Sequence, residues 1–288
     1  MKLPPFRYER PASLDEALSL LAGSAGDAKV IAGGQTLLPI MAFRLAAPSL
    51  LVDIGGIAEL RGIRIMPDRL EIGATTRWCD ILGDARLAAE HPLLQAGIGH
   101  VAHYQIRNRG TVGGSLAHAD PAAEMPGIAA ACDASIVIAG PDGKRTVPFD
   151  EFFLGALTTI LSEQEIIAEI HLPRWTPQRR WAFLEFARRS GDFALAAVAL
   201  HYLKDDSGRL ADVHVGVMGV CDRPCRIDAA EAILNGNEPS AELVAAAAAA
   251  AAAAVDVDDD LHASQAYRKA LIAVLVERAF EAAEARGG

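Results

Sequence analysis

Two short segments of the chain each place a pair of adjacent glycines beside a small hydroxyl residue: AGGQT at residues 32–36 and TVGGS at residues 111–115. Because glycine has no Cβ atom, its backbone can adopt a positive φ and turn its N–H groups toward an anion, and the hydroxyl adds a donor. One such turn could hold a phosphate, and two could hold both halves of a pyrophosphate. The alternative is that each pair only makes a tight turn, and spacing alone does not distinguish a dinucleotide from a sugar phosphate.

A rival motif, G-x-G-x-x-A, occupies residues 97–102. As a Rossmann fingerprint it needs a strand before it and an acidic residue at the end of the next strand. Residues 91–96 instead have a helical pattern, and Asp120 follows glycines. The motif therefore does not predict a dinucleotide-binding Rossmann fold.

Conventional catalytic and metal-binding patterns are sparse. The eight histidines show no HExxH spacing, and neither Ser115 nor Ser190 lies in a G-x-S-x-G turn. The C-x-x-x-C spacing of Cys221 and Cys225 fits neither zinc nor iron–sulfur patterns, and free, buried thiols are favoured over disulfides for all four cysteines. We predict no metal site and no catalytic side chain, which favours a bound cofactor that carries the chemistry.

The glycine turns are positioned by predicted strands and helices. The first turn follows a buried strand at 28–32 and precedes a helix at 37–45, and a strand at 50–54 completes a strand–helix–strand unit. The second follows helices predicted at 76–89 and 92–101 and precedes one from 121 to about 132. A helix capped by Ser13, hairpins at 63–74 and 135–147, and a strand at 165–172 complete this part.

Two prolines and a basic pair at residues 173–180 predict a domain boundary near residue 175. Beyond it we predict strands at 181–186, 195–203 and 210–220 and helices at 227–234, 241–254 and 264–286. The alanine run at 245–254 predicts a helix packed closely against its neighbours rather than a device for binding a partner.

Composition excludes several classes of function. The chain has 27 Lys and Arg against 37 Asp and Glu, a net charge of −10, and no basic run, which argues against nucleic acid or anionic lipid as partners. Its N-terminus lacks the apolar core of a signal peptide, and its longest hydrophobic tract is too short to span a membrane. We therefore expect a cytoplasmic protein.

At the two glycine turns the chain resembles the FAD-binding medium subunits of the molybdenum hydroxylases, the family that includes xanthine dehydrogenase and aerobic carbon monoxide dehydrogenase. In that family an A-G-G-x-[ST] turn and a T-x-G-G-[NS] turn bind the FAD pyrophosphate. The segment RRSGDFA at 188–194 resembles a third family segment, beside the isoalloxazine ring, and the match runs from residue 5 to about 236.

The resemblance implies an α+β fold in two parts. The first is an FAD-binding domain of the vanillyl-alcohol-oxidase/PCMH-like type at residues 1–175, with subdomains of about 1–55 and 56–175. The second is a C-terminal domain of the CO dehydrogenase flavoprotein type at residues 176–288, a small antiparallel sheet with helices.

The resemblance also assigns cofactor-binding positions. The two turns would face the diphosphate, Glu124 the adenosine ribose, and Val101 and Ala102 the flavin. Leu161 and Phe193 would pack on or near the ring, although the residues alone favour simple core positions for both. The full set is Lys29, Val30, Ala32, Gly33, Gly34, Gln35, Thr36, Val101, Ala102, Thr111, Gly113, Gly114, Ser115, Glu124, Leu161, Glu185 and Phe193.

Glu185 departs from the family pattern, because well-known relatives carry a lysine near the flavin pyrimidine edge at this position. A cation there would favour a reduced, anionic flavin, and a carboxylate would oppose it. The relatives' electron acceptor therefore does not transfer directly to this chain.

The implied function is electron transfer through non-covalently bound FAD within a multi-subunit molybdenum hydroxylase. Electrons would come from a large molybdopterin-binding subunit through the [2Fe-2S] clusters of a small ferredoxin-like subunit, in a dimer of heterotrimers. The alternative is a self-contained flavin oxidase or reductase, which would need its own substrate pocket and proton-handling residues. A cofactor-free scaffold would leave both glycine turns unexplained.

Overall fold

The computed structural model describes residues 2–286, which form an α+β structure with four sheets. The strands are β1 (Arg7–Glu9), β2 (Ala28–Ile31), β3 (Leu50–Asp53), β4 (Ile63–Ile65), β5 (Arg69–Gly73), β6 (Ser135–Gly140), β7 (Gly143–Pro148), β8 (Phe153–Gly155), β9 (Thr158–Thr159), β10 (Ile166–Pro173), β11 (Arg180–Phe186), β12 (Ala196–Lys204), β13 (Leu210–Met218) and β14 (Cys225–Arg226). The helices are α1 (Leu14–Ala22), α2 (Leu37–Ala42), α3 (Trp78–Gly83), α4 (Leu87–Glu90), α5 (Pro92–Ile98), α6 (Tyr104–Arg107), α7 (Val112–His118), α8 (Glu124–Ala131), α9 (Phe149–Phe152), α10 (Asp228–Leu234), α11 (Ala241–Ala254) and α12 (Gln265–Ala285). Short 3-10 helices cover Ile54–Gly56 and Ala58–Leu60.

The first sheet is parallel, with strand order β1-β3-β2, and it contains the predicted strand–helix–strand unit β2–α2–β3. Helix α1 begins at the predicted cap, where the Ser13 hydroxyl accepts a hydrogen bond from the Glu16 N–H at 3.2 Å. Its buried residues Leu14 and Leu21 pack in one core cluster with Val52 of β3. The first turn, at residues 32–36, therefore directly follows β2, which is paired with β3 on one side.

The second sheet is antiparallel, with order β4-β5-β10-β6-β7. Both predicted hairpins and the strand between them are confirmed, as β4–β5, β6–β7 and β10. Alternate residues such as Ile72, Ile136 and Ile170 are fully buried and form a core with residues of α3, α4, α5, α7 and α8. This layer carries the second glycine pair.

The third sheet, β11-β12-β13-β14, is antiparallel and is buried on both faces along β12. Ala196, Val198 and Leu200 belong to the core that contains α10, α11 and α12, whereas Ala197 and Ala199 belong to the core of the preceding residues. Because successive side chains of a strand point to opposite faces of the sheet, β12 contributes residues to both cores. The domain boundary that we predict near residue 175 remains a prediction.

Two sequence expectations about helices were wrong. The helix expected at 76–89 is two helices, because the carboxylate of Asp84 accepts hydrogen bonds from the backbone and side chain of Arg86 and ends α3. The second glycine pair, Gly113 and Gly114, lies inside α7 rather than in a loop. Thr111 caps this helix by accepting a hydrogen bond from the Gly114 N–H at 3.2 Å.

Helix α11 confirms that the alanine run packs closely. Ser240 caps it, and Ala247, Ala248 and Ala251 are buried on one face, in the same core as residues of α10 and α12. The other alanines of the run are exposed or half-buried. Among residues 2–286, no helix combines the length and apolar character needed to cross a bilayer.

We predict that Ala248→Leu destabilises the protein by about 1–3 kcal/mol, because three extra carbons enter a closely packed helix interface. The neighbouring exposed Ala249→Leu is the matched control and should change stability by less than about 0.5 kcal/mol. Denaturant unfolding of both variants measures the difference. Equal stabilities would show that α11 has room on its buried face.

Candidate cofactor-binding site

A cavity of about 680 Å³ opens between the first sheet, the helical layer of the second sheet and residues 191–193. Its volume lies within the range of small-molecule and cofactor sites. Every residue of the expected cofactor-binding set lines it except Glu185. The two glycine segments, about 80 residues apart in the chain, therefore form two walls of one cavity.

The first turn presents unpartnered backbone donors. The N–H groups of residues 33–36 have no hydrogen-bond acceptor among residues 2–286, and the Gln35 side-chain amide donates to the Gly33 carbonyl at 3.0 Å. Gly34 has a φ of 70°, a conformation that favours glycine. A turn with successive free N–H groups is a ready site for an anion.

Gly33 is required for a different reason from the one expected. Its φ is not positive; instead, a Cβ at this position would overlap the carbonyl of Arg109 and lie 2.9 Å from the Cα of Gly110. The first turn thus packs backbone against backbone on the segment that leads into α7. Of the four glycines in the two turns, only Gly34 has the positive φ that the sequence led us to expect.

Both glycines of the second segment have their N–H groups bonded within the protein, contrary to expectation. The N–H of Gly113 donates to the Ala74 carbonyl at 2.8 Å, and the N–H of Ser115 donates to the Thr111 carbonyl at 3.1 Å. Only glycine fits at position 113, because a Cβ there would lie 2.5 Å from the Cβ of Ala74. On this wall the glycines allow the backbone to pack closely, and Ser115 adds a hydroxyl group. The first turn supplies the row of amide donors.

Lys29 and Glu124 are the charged residues of the expected set that line the cavity. Lys29 is exposed on β2 and forms no ion pair with any described residue. Glu124 is buried at the first position of α8; burial, and secondarily the charge of Asp120, raise its pKa to about 7. Lys29 can pair with an anion, and a carboxyl group of this pKa can hydrogen-bond to hydroxyl groups in either protonation state.

A second turn-like segment, at Val101 and Ala102, lines the far part of the cavity. The Arg107 guanidinium donates to both of their carbonyls, at 2.7 and 2.8 Å, and Ala102 has a φ of 37°. No sequence motif identifies Arg107, because its side chain stabilises the backbone of residues that lie five and six positions earlier in the chain.

Residues 191–193 bring the C-terminal part of the chain to the cavity. Gly191 packs on the Val101–Ala102 turn, since a Cβ there would lie 2.9 Å from the Ala102 carbonyl. Phe193 lines the cavity and is 64% exposed, so it is not a core residue. Leu161 is half-buried in the same cavity and also packs against the neighbouring core.

Glu185 lies on β11 and is not among the residues that line the cavity. Its Oε1 is 3.9 Å from His100 Nδ1, and its buried Oε2 has no hydrogen-bond partner. Burial, and secondarily the charge of Glu124, raise its pKa to about 8, so it is mainly protonated at pH 7. A carboxyl group of this pKa carries little negative charge at neutral pH.

The cavity also includes residues that sequence reasoning missed. Trp78, Ile106, His118, Asp120, Thr159 and Ser162 line it. They come from elements that have no motif of their own, so only the packing of the sheets reveals them. The rejected G-x-G-x-x-A motif is structural: Gly97 lies inside α5, where a Cβ would come within 2.7 Å of Ile128.

Glu71, Glu169 and His171 bring three possible metal-ligating atoms together on the second sheet. Arg64 donates to Glu71 at 3.0 Å and to Glu169 at 2.6 Å, and Arg69 donates to Glu71 at 2.8 Å. Guanidinium groups already neutralise these carboxylates. The cluster is an ion-pair network rather than a cation site.

Comparison with protein-family models gives two matches that divide the chain. Residues 4–175 match the FAD binding domain in molybdopterin dehydrogenase, and residues 181–283 match the CO dehydrogenase flavoprotein C-terminal domain.

Full-length relatives and structures agree with these matches. The chain is 41% identical to the nicotine 6-hydroxylase medium subunit of Paenarthrobacter nicotinovorans, over 99% of this chain and 100% of the relative. It is 38% identical to the carbon monoxide dehydrogenase medium chain of Hydrogenophaga pseudoflava, over 98% of both. A chain of a solved structure of carbon monoxide dehydrogenase from Hydrogenophaga pseudoflava, which lacks the Mo-pyranopterin moiety of the molybdenum cofactor, superposes with a TM-score of 0.96 at 40% identity, covering 99% of each chain.

We predict that Glu185→Gln makes stability less dependent on pH. The folded-state pKa of about 8 lies above the ordinary value of 4.5, so Glu185 favours the folded state most below about pH 4.5 and loses this contribution as the pH rises through 8. The variant, which cannot ionise, should gain about 2 kcal/mol relative to wild type between pH 5 and pH 9, a figure discounted for screening by solvent because Glu185 is only partly buried.

Denaturant unfolding at both pH values measures this effect, and Glu151→Gln, at an exposed position of α9, is the control. The same pH dependence in wild type and Glu185→Gln would place the Glu185 carboxyl group in water.

Proposed function

The chain belongs to the family of FAD-binding medium subunits of molybdenum hydroxylases, and on this basis we propose that the cavity of about 680 Å³ is where it holds FAD. The protein is the flavoprotein subunit of a multi-subunit oxidoreductase and transfers electrons through FAD to an external acceptor. The observation that carries the placement of FAD is the row of unpartnered N–H groups at residues 33–36, beside the unpaired Lys29.

The residues present fit the parts of FAD. The first turn and Lys29 would hold the diphosphate, because amide donors and one cation match its negative charge. Glu124 would hydrogen-bond to the ribose hydroxyls, and its raised pKa reduces the repulsion that a buried carboxylate would exert on the diphosphate.

The flavin end of the cavity is more apolar. Val101, Ala102, Leu161 and Phe193 would surround the ring, and Arg107 holds the Val101–Ala102 backbone in place for it. FAD supplies the exchange of single electrons and of electron pairs that the side chains of the chain cannot supply. The attachment we propose is non-covalent.

The proposal extends to the partners. The four cysteines are free thiols, and Cys79 and Cys132 lie apart from the single close pair, so this chain provides no four-cysteine set for a cluster. We place [2Fe-2S] clusters on a small ferredoxin-like subunit and the molybdenum centre on a large molybdopterin-binding subunit, in a dimer of heterotrimers. Tyr104, 72% exposed on the helix that follows the Val101–Ala102 turn, belongs to the surface that we expect a partner to cover.

Two further parts of the proposal concern domains and location. Residues 1–175 would form the FAD-binding domain, with Phe193 supplied to its cavity by the C-terminal domain at 176–288. We place the protein in the cytoplasm, where a reducing environment keeps thiols such as Cys221 and Cys225 unbonded.

We predict that Gly34→Ala weakens FAD binding about ten-fold or more. A side chain at a φ of 70° strains the turn and would press on Leu38 at 3.1 Å, which displaces the free N–H groups. Gly208→Ala is the matched control, because its φ of 83° imposes similar strain in a remote turn where a Cβ meets nothing. Titration of the apoproteins with FAD, followed by flavin fluorescence, measures both affinities. If both variants bind FAD like wild type, the first turn does not hold the diphosphate.

We predict that the isolated FAD-loaded chain hydroxylates no organic substrate with an artificial electron acceptor, and that hydroxylation appears only with the molybdenum and iron–sulfur subunits. Co-expression followed by size exclusion and activity measurement tests this. In the complex, Gly34→Ala should lose turnover with the natural acceptor and regain it with added FAD. Substrate turnover by the isolated chain would instead establish the self-contained flavoenzyme.

A further inference from the structure

Two cysteines that the electron-transfer function does not use lie close together: Cys221 is in the loop between β13 and β14, and Cys225 is the first residue of β14. The Sγ atoms of Cys221 and Cys225 are 3.2 Å apart, and both residues are half-buried. We propose that Cys221 and Cys225 form a redox-active dithiol, which hydrogen peroxide converts reversibly into a disulfide. The site is separate from the cavity-lining residues.

The segment that carries both thiols is fixed in place by backbone pairing and hydrogen bonds with three other parts of the fold. Cys225 pairs with Val217 in the sheet, and the Gly219 N–H donates to the Pro121 carbonyl at 2.9 Å. Arg223, between the two cysteines, donates to the Phe153 carbonyl at 3.2 Å. The thiols are therefore brought together by the fold, and closing a bond of about 2.05 Å requires the sulfurs to approach by only about 1 Å.

The two thiols are chemically unequal. Cys225 donates a hydrogen bond to Cys221, and this bond, aided by the Asp256 N–H, lowers the pKa of Cys221 against the effect of burial. The same hydrogen bond, and burial, raise the pKa of Cys225. The nearby charges are Asp222, Asp256 and Arg223, of which only Arg223 favours a thiolate. Cys221 is thus the nucleophile and Cys225 the resolving thiol.

The reaction balances with peroxide as the only oxidant. The Cys221 thiolate attacks one peroxide oxygen, so that an S–O bond forms, the O–O bond breaks, and the hydroxide that leaves takes a proton to become water. The Cys225 sulfur, as it loses its proton, then attacks Cys221 Sγ; the S–S bond forms, the S–O bond breaks, and a second water leaves. The two thiols lose two electrons in total, and peroxide gains them.

The other thiols and a metal-ion role fit less well. Burial raises the pKa of Cys132, and it is 2% exposed, so it is inert. Cys79 has no second sulfur beside it. The pair has no third metal-ligating side chain within reach among residues 2–286, since only the Glu71 cluster meets that criterion. A dithiol without further ligands favours redox chemistry over zinc.

The test is made on the purified FAD-loaded chain, first fully reduced and then treated with hydrogen peroxide. We expect the four thiols, counted after denaturation with a chromogenic disulfide reagent, to fall to two and to return to four with dithiothreitol. Trypsin does not cleave between Arg223 and Pro224, so residues 210–226 form one peptide that should lose two hydrogen masses. Four thiols after treatment, or loss of Cys79 before this pair, would overturn the proposal.

Variants separate the two roles. Cys225→Ser should stop at the sulfenic acid on Cys221, which dimedone traps, whereas Cys221→Ser should keep its three thiols; Cys79→Ser is the control and should still form the disulfide. Because its pKa is lowered, Cys221 carries more thiolate near neutral pH than an unperturbed thiol, and it should react with peroxide faster than such a thiol. The rate should rise with pH. A Cys221 that resists peroxide in Cys225→Ser contradicts its role as the nucleophile.

Discussion

The approach of one backbone to another at Gly33 is the constraint on which the cavity depends. Because Gly33 has no side chain, the first turn can lie against the carbonyl of Arg109 and the Cα of Gly110, and the parallel sheet meets the helical layer there. The N–H groups of residues 33–36 have no acceptor among residues 2–286, and these residues line the cavity. A site for a large anionic cofactor thus results from a packing contact between two parts of the fold.

The C-terminal sheet meets the rest of the chain through an equally close contact. A Cβ on Gly216 would lie 2.7 Å from that of Ala131, so β13 packs directly on α8. The Ala131 carbonyl accepts hydrogen bonds from His201 Nε2 at 2.8 Å and from His214 Nδ1 at 2.9 Å. Burial holds the pKa of His201 well below its ordinary value, and its neutral ring accepts from Arg179 at 2.9 Å. These buried polar groups make the packing of β13 on α8 specific.

Local sequence signals predicted the elements better than the site. Alternation and turn residues predicted the hairpins, and Ser13 predicted the start of α1, because those signals act within a few residues. The roles of the glycines were only partly predicted: Gly33 and Gly113 are required by contacts with Arg109 and Ala74, which are distant in sequence. A motif shows that glycine is needed, and only the tertiary contact shows whether conformation or space is the reason.

The carboxyl groups of Glu124 and Glu185 show the same limit for electrostatics. In the sequence both residues count toward the net charge of −10, yet burial raises both pKa values and each carboxyl disfavours ionisation of its neighbour, as the effect of Glu124 on Glu185 shows. Lys29, on the strand that leads into the turn with free amides, is exposed and lines the cavity. The cavity of this acidic protein thereby brings one lysine and a row of free amide donors together, and burial shifts Glu124 and Glu185 toward their neutral forms. A count of charges cannot give this distribution, because it depends on which groups the fold removes from water.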